Sequence, residues 1–201
     1  MEPGTLALLG GSFDPIHIGH LHIAEVLLSG AGFDGVLFVP AGAPAHKPQR
    51  RLALPEHRLR MVRRAVRYQP RFAVSDIELR RQGTSYTIDT VGTLHERGLI
   101  GDLPGLVVGD DLLADYRSWR DYRALASKVR FVVARRLADQ SARAAALAAF
   151  EYEYTQLPNL LLDISSTEVR RRISHGESVR HLVPEPVRRY INRYRLYEAV
   201  G

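Results

Sequence analysis

Cysteine is absent from this chain of 201 residues. Its absence excludes a disulfide framework, a thiolate catalyst and a cysteine-based zinc site, so packing must stabilise the fold. The sequence also contains no apolar run near the roughly 20 residues that a membrane span needs, and its N-terminus lacks a basic region followed by a secretory apolar segment. We therefore expect a cytoplasmic protein that does not associate with membranes.

What the chain does contain is a globular composition with an excess of positive charge. It is 45% hydrophobic and 25% charged, and 28 Lys and Arg against 22 Asp and Glu give a net charge of +6. Arginine suits anionic ligands such as nucleotide phosphates or RNA, because its guanidinium binds phosphate bidentately. Five arginines fall on a predicted helix over residues 55–67, and we expect them on its solvated face. They are Arg58, Arg60, Arg63, Arg64 and Arg67.

Short apolar runs alternate with amphipathic segments along the chain. Each run is too short for a helix and is typical of a buried strand in a parallel sheet. The runs cover residues 6–9, 36–39, 72–76, 106–108, 129–134 and 160–162. The alternation predicts an α/β protein with a doubly wound parallel sheet. We expect one domain over residues 1–201, in which residues 164–201 form a helical C-terminal segment.

The stretch from Leu6 to Glu25 reads as a strand, a glycine-rich turn and the opening of a helix. Gly10 and Gly11 let the backbone approach a ligand closely, and the helix N-terminus directs free N–H groups to the same place. His17 and His20 lie three residues apart, so a helical turn puts both imidazoles on one face, where they suit a bound phosphate. A tight turn with incidental histidines explains the glycines equally well.

Polar residues follow several predicted strands, at the edge where open α/β sheets bind ligands. His46 and Lys47 lie in the loop after the second strand and are placed to reach a phosphate, although an exposed loop pair explains their spacing more simply. Asp110 and Asp111 follow the fourth strand, where a carboxylate either caps a helix or accepts ribose hydroxyls and holds Mg²⁺ through water. The single tryptophan, Trp119, is by default a core residue.

Two predicted helix starts carry hydroxyl side chains. Ser85 or Thr87 caps a helix that continues to about residue 97. Ser165 and Glu168 fit a capping box at the start of a helix that ends near Gly176. Both patterns are common, and each supplies free N–H groups that suit a phosphate or a carboxylate.

Two longer strings are far more specific together than either is alone. Gly-Gly-Ser-Phe-Asp-Pro-Ile-His-Ile-Gly-His at residues 10–20 and Ile-Ser-Ser-Thr-Glu-Val-Arg at residues 164–170 resemble the two signatures of the (H/T)xGH nucleotidyltransferase superfamily. The first string, with Ser-Tyr-Thr at residues 85–87 and Gly-Asp-Asp followed by Trp119, is similar to the bacterial nicotinate-nucleotide adenylyltransferases. The resemblance covers nearly the whole chain. It implies a Rossmann-like nucleotidyltransferase fold and transfer of AMP from ATP to nicotinate mononucleotide, giving nicotinate adenine dinucleotide and pyrophosphate in NAD biosynthesis.

The resemblance also implies roles for individual residues. His17 and His20 are expected to be catalytic, and Mg²⁺ is expected to accompany ATP without a dedicated set of protein ligands. The implied ATP-binding residues are Gly10, Gly11, Ser12, Phe13, His17, His20, Lys47, Gly109, Asp111, Arg136, Ile164, Ser165, Ser166, Thr167 and Arg170. The residues implied for nicotinate mononucleotide are His46, Ser85, Tyr86, Thr87, Trp119 and Arg135.

The chain departs from the family after its arginine pair. Leu137-Ala138 stands where a Pro-Gly is usual, and residues 137–159 break the alternation of strand and helix. This departure leaves the substrate-side loop and any homo-oligomer contact open.

Two other functions share part of the pattern. Phosphopantetheine and nicotinamide mononucleotide adenylyltransferases carry the same ATP signatures, but the Ser-Tyr-Thr string and Trp119 favour nicotinate. His-Ile-Gly-His also marks class I aminoacyl-tRNA synthetases, which bind RNA. Against that function, the chain is too short for an anticodon-binding domain, contains no Lys-Met-Ser-Lys-Ser loop and has arginines scattered along the sequence. We expect no nucleic-acid partner.

Overall fold

A computed structural model describes residues 5–44 and 52–199, and eight short strands lie within them. The strands are β1 (Leu6–Gly11), β2 (Gly35–Pro40), β3 (Ala43–Pro44), β4 (Phe72–Val74), β5 (Thr84–Ser85), β6 (Gly105–Gly109), β7 (Arg130–Ala134) and β8 (Tyr154–Gln156). Six of them form a parallel sheet in the order β4-β2-β1-β6-β7-β8, and β3 pairs with β5 in a small separate sheet.

Helices cover both faces of the larger sheet. They are α1 (Ile18–Gly30), α2 (Pro55–Val66), α3 (Thr87–Glu96), a 3₁₀ helix (Asp110–Ser118), α4 (Tyr122–Ala126), α5 (Gln140–Ala149), α6 (Ser166–Ser174) and α7 (Glu185–Tyr194). Among the described residues, no helix combines the length and the apolar character that crossing a membrane requires.

The sheet separates two hydrophobic cores. Successive side chains of a strand point to opposite faces, so Ala7 and Leu9 pack against α1, α2, α6 and α7, whereas Leu8 packs against α3, α4, α5 and the 3₁₀ helix. Because both faces are covered, the central strands β2 and β6 are buried along their whole length. This explains why they appear in the sequence as unbroken apolar runs.

A crevice opens beside β1 at its carboxyl end. Strand β1 pairs with β2 from Leu6 to Gly11, but its register with β6 covers only Ala7 and Leu8. The chain continues from β1 to β2 on one side and reaches β6 on the other, so β1 and β6 flank the point where the winding reverses. Doubly wound sheets bind ligands at this point.

The sixth strand is not where the sequence predicted it. The run Leu160–Leu162 is irregular, and the strand beside β7 is β8, within the segment that breaks the alternation. Leu160 is 69% exposed, so this apolar run does not mark a buried strand. The other five predicted strands are confirmed, with ends within two residues of the expected positions.

Candidate active site

The turn between β1 and α1 brings His17 and His20 together, with ring centroids 3.8 Å apart. The backbone N–H of His17 donates to Nδ1 of His20 at 3.2 Å. Because Nδ1 accepts this bond, the neutral His20 ring carries its proton on Nε2. The Nε2–H group is therefore available to donate to a ligand.

Both imidazoles are neutral near pH 7. Burial, with a smaller contribution from Arg136, lowers the pKa of His17 from 6.5 to about 4. Burial also lowers the pKa of His20 well below its usual range, and the charges of His17 and Arg136 act in the same direction. A bound anion favours the charged form of a neighbouring group. The pair therefore suits a site in which negative charge arrives with the ligand.

The shape of the turn depends on Phe13 and Gly19. Phe13 adopts a positive φ of 45° and is fully buried, with its ring edge-on to His20 at 5.0 Å. A Cβ atom on Gly19 would lie 3.1 Å from the ring of His17 and from the side chain of Ile164. Only glycine fits there without displacing one of them, so the first signature packs directly against the second.

The second signature binds the first turn through its side chains. Ser165 caps α6 by accepting the N–H of Glu168 at 3.1 Å, as predicted, but the Glu168 carboxylate pairs with arginines of its own helix. Ser166 Oγ donates to the Pro15 carbonyl at 2.9 Å, and Arg170 donates to the Asp14 carbonyl at 2.5 Å. In this conformation the two predicted ATP ligands Ser166 and Arg170 join the two turns.

The adjacent carboxylates after β6 have different surroundings. Asp110 is fully buried and accepts the backbone N–H groups of Arg136 and Leu137 at 2.8 and 2.9 Å, and also Nε of Arg143 at 3.1 Å. Asp111 is one-third exposed and lies 3.3 Å from Nη1 of Arg136. Asp110 therefore fixes the backbone of the arginine pair, whereas Asp111 pairs with the Arg136 side chain after β6 and is partly open to solvent.

Gly109 makes this arrangement sterically feasible. A Cβ atom there would overlap with the Asp111 carboxylate and lie 2.6 Å from the Arg136 side chain.

The second arginine of the pair, Arg135, is held by the buried side chain of Asn159, which accepts its N–H at 2.9 Å and donates to its carbonyl at 3.0 Å.

Two pockets lie beside the β1–α1 turn. The first, which we call the histidine groove, has a volume of about 360 Å³ and is lined by His17, His20, Arg135, Arg136, Asn159, Ile164 and Ser165. The second, the tryptophan pocket, has a volume of about 230 Å³ and is lined by Gly10, Gly11, Ser12, Glu78, Ser85, Tyr86, Thr87 and Trp119 over an apolar floor. Residues of the β1–α1 turn line both pockets, Gly10 to Ser12 the tryptophan pocket and His17, Gly19 and His20 the histidine groove.

The structure gathers most of the residues that the sequence singled out. Trp119 lines its pocket while also packing on the core, so its default interpretation as a core residue is incomplete. The helix after Ser85 begins at Thr87, and its N-cap is Tyr86, which makes no side-chain capping bond, rather than Ser85 or Thr87. Phe13 has no exposed surface, so it shapes the turn by packing. His46 and Lys47 lie outside the described residues.

Sequence reasoning misplaced one arginine of α2, and it did not reveal that several others cluster in space. Arg58 is 1% exposed instead of solvated; the available signal was its spacing from the buried Met61 and Val62, which puts it on the apolar stripe of α2. The arginines are also less scattered in space than along the chain. Four of them border one surface groove between α2 and α7, namely Arg64, Arg67, Arg189 and Arg193.

Other residues of the site carried no sequence signal. Glu78, in the tryptophan pocket, accepts the Gly42 N–H at 3.3 Å and the Thr90 hydroxyl at 2.8 Å, and burial raises its pKa. Glu78 and Asn159 lie in no recognisable string, and the hydrogen bonds that join them to Gly42, Thr90 and Arg135 span 12 to 36 positions.

A doubly wound sheet with paired histidines at its first helix and a second capped turn against them defines a nucleotide-binding transferase. The family model described as cytidylyltransferase-like matches residues 8–172. A Salinibacter ruber protein named probable nicotinate-nucleotide adenylyltransferase is 38% identical over 193 residues, covering 96% of the chain and 97% of the relative. A Roseiflexus protein of the same name is 40% identical over 204 residues, covering 98% of the chain and 100% of the relative.

A solved structure has the same fold at lower identity. Plasmodium falciparum nicotinic acid mononucleotide adenylyltransferase, complexed with NaAD, aligns with a TM-score of 0.75 at 22% identity over 97% of this chain and 98% of that one. The chain thus belongs to the cytidylyltransferase-like family and, within it, to the nicotinate-nucleotide adenylyltransferases.

Proposed function

We propose that this protein transfers the adenylyl group of ATP to nicotinate mononucleotide, giving nicotinate adenine dinucleotide and pyrophosphate in NAD biosynthesis. The observation that carries the proposal is that residues of the β1–α1 turn line two unlike pockets. One is lined by histidines and arginines and suits a polyphosphate. The other has an apolar floor and a tryptophan wall and suits a ring.

In the proposed reaction, the 5′-phosphate oxygen of the mononucleotide attacks the α-phosphorus of ATP. The new P–O bond forms as the bond between the α-phosphorus and its bridging oxygen breaks, and that oxygen leaves with pyrophosphate. No covalent enzyme intermediate is required, so catalysis consists of positioning and charge stabilisation. His20 donates from Nε2 to a phosphate oxygen, His17 lies beside it, and the Arg136 guanidinium in the same groove stabilises the developing charge.

The N-termini of α1 and α6 direct their free N–H groups toward the same polyphosphate. We assign ATP to the histidine groove, between His17, His20 and Ser165. Ser166 and Arg170 act mainly by joining the two turns, because their side chains bind the backbone of the first turn. Asp111 suits a ribose hydroxyl or a metal-bound water.

Adenylyl transfer from ATP commonly needs a divalent metal ion, and we propose Mg²⁺. Within residues 5–44 and 52–199, no group of three or more His, Asp or Glu is arranged to hold a metal ion by itself. Mg²⁺ would therefore bind chiefly to triphosphate oxygens, with Asp111 as the carboxylate placed to hold its water ligands. The ion would neutralise charge on the pyrophosphate leaving group.

We assign the nicotinate ring to the tryptophan pocket. Trp119 supplies an aromatic wall, and the start of α3 at Ser85–Thr87 supplies N–H groups suited to the ring carboxylate. Arg135 lies in the histidine groove, so its predicted contact with the mononucleotide would be with the phosphate rather than the ring.

Pyrophosphate release tests the proposal. The protein is incubated with ATP and Mg²⁺, and nicotinate mononucleotide, nicotinamide mononucleotide and phosphopantetheine are supplied in parallel at equal concentrations. We expect release with the nicotinate form to be at least tenfold faster than with either of the others, since a carboxylate is held more strongly than an amide by N–H groups at a helix start. Faster release with nicotinamide mononucleotide or phosphopantetheine would contradict the assigned acceptor.

A further inference from the structure

Two buried side chains and a partly buried tyrosine, none with a part in the proposed chemistry, lie together behind the β1–α1 turn. They are Asp14, Arg58 and Tyr197, which we call the Asp14 cluster. Asp14 is 0% and Arg58 1% exposed. Buried ionisable groups are costly unless their hydrogen bonds are made, so the contacts of this cluster bear on what it does.

Arg58 joins three separate segments of backbone. Its Nη1 donates to the carbonyls of Ser12 at 2.9 Å and Ala41 at 2.7 Å, and its Nε donates to the carbonyl of Ala53 at 3.1 Å. Ser12 belongs to the first turn, Ala41 follows β2 and Ala53 precedes α2. A planar guanidinium reaches all three at once, whereas an ammonium at the end of a lysine has no such fork.

Asp14 binds the same Ala53 backbone that Arg58 binds. Its Oδ1 accepts the Ala53 N–H at 3.2 Å and the Tyr197 hydroxyl at 2.7 Å. Ala53 thus gives its carbonyl to Arg58 and its N–H to Asp14, so residues 12–14 are held at both ends. Arg170 of the second signature binds the Asp14 carbonyl and lies 3.6 Å from Oδ2.

Tyr197 reaches Asp14 from the segment after α7. Burial, followed by the neighbouring Asp14 carboxylate, raises the pKa of Tyr197 far above its usual range. Its hydroxyl therefore remains a donor throughout the accessible pH range. The turn that it supports contains Phe13 at a φ of 45°, a conformation that a residue with a side chain adopts only when its surroundings hold it there.

We propose that Arg58 and Tyr197 are positioning residues, which act through Ser12 and Asp14 to hold the β1–α1 turn in the conformation that receives the ATP phosphates. The proposal rests on the function proposed above. It also assigns the segment after α7 to the ATP site, although none of its residues up to 199, where the described part of the chain ends, lines the histidine groove.

Substitution of single hydroxyl groups tests the proposal. Tyr197→Phe removes only the bond to Asp14, and Tyr194→Phe, three residues earlier on an exposed ring, is the matched control. The dissociation constant of ATP with Mg²⁺ is measured by calorimetry without acceptor, and kcat and both KM values are measured in the full reaction. We expect Tyr197→Phe to weaken ATP binding about fivefold while the KM of nicotinate mononucleotide changes less than twofold.

Arg58→Lys separates charge from geometry. The proposal predicts that lysine does not restore ATP affinity, because the three carbonyls require the guanidinium fork. Circular dichroism at the assay temperature verifies that each variant is folded. If Arg58→Lys does not fold, the ATP affinity of Tyr197→Phe alone tests the positioning role. ATP binding by Tyr197→Phe within twofold of an ATP-binding wild type would overturn the positioning role. Failure of the wild type to bind ATP would instead overturn the proposed function, and the positioning role with it.

Discussion

The histidine groove and the tryptophan pocket share the β1–α1 turn but are built in opposite ways. The groove holds the buried imidazole of His17 and the partly buried imidazole of His20 beside two arginines, and buried polar contacts from Asp110 and Asn159 fix the backbone of those arginines. The pocket has a floor of strand residues, among them Leu8, and an aromatic wall from Trp119, with polar groups at its edge. The groove is therefore suited to charge stabilisation, and the pocket to binding of the ring. Preorganised donors stabilise charge that develops during the reaction, whereas apolar contact with a ring acts on the bound substrate and the transition state alike.

This division predicts that changes in the groove lower kcat and changes in the pocket raise the KM of the acceptor.

The largest expected effect is that of His20→Ala. Loss of one preorganised donor at developing charge typically costs 10²–10³-fold in rate, so we expect kcat to fall by about that factor. The KM of nicotinate mononucleotide should change less than threefold, since it binds across the turn. His95→Ala, at an exposed histidine paired with Asp102, is the control and should leave kcat unchanged. A kcat for His20→Ala within threefold of wild type would show that His20 does not stabilise the transition state.

The groove should also make stability depend on pH. The pKa of His17 lies near 4 in the folded protein and near 6.5 when unfolded. Between those values the unfolded state binds more protons, so the free energy of unfolding falls as the pH falls from 6.5 to 4, by up to about 3 kcal/mol from this residue. Urea unfolding at pH 6.5, 5.5 and 4.5 measures the slope.

His17→Asn should remove a large part of that slope, and His95→Asn should not. His20 titrates in the same direction, so some dependence will remain. A full slope in His17→Asn would show that other groups cause it.

Trp119→Ala tests the pocket. We expect the KM of nicotinate mononucleotide to rise about tenfold with kcat within threefold, because the lost contact is with an aromatic ring in the ground state and the transition state alike. Trp119→Phe keeps a ring and should lie between the two. If instead kcat fell strongly and KM did not change, the pocket would belong to the reacting centre and the contrast would fail.

The smallest expected effect is at the groove between α2 and α7. Arg67→Ala with Arg193→Ala should leave kcat and both KM values within twofold of wild type, because neither residue lies in either substrate pocket. The same double variant tests whether the surface binds RNA. Salt-sensitive retention of wild type on RNA that this variant loses would contradict the expectation of no nucleic-acid partner.

Local patterns predicted the parts of the molecule that local physics determines. Apolar runs identified five of the six sheet strands, and the two signature strings located both turns that meet at Gly19. They failed where contacts distant in sequence decide the outcome. Leu160 lies in an apolar run that predicted a buried strand, but it is 69% exposed. The hydrogen bond from Tyr197 to Asp14 joins residues 183 positions apart, and no local pattern indicates it. Arg58 was assigned to the surface because charge outweighed its position on the apolar stripe.

A crystal structure of the protein with nicotinate adenine dinucleotide tests the division of labour most directly. We expect the adenosine half in the histidine groove, the pyridine ring against Trp119, and a pyrophosphate oxygen within hydrogen-bond distance of Nε2 of His20. A dinucleotide bound in the reverse orientation, or with its pyridine ring away from the tryptophan pocket, would contradict it.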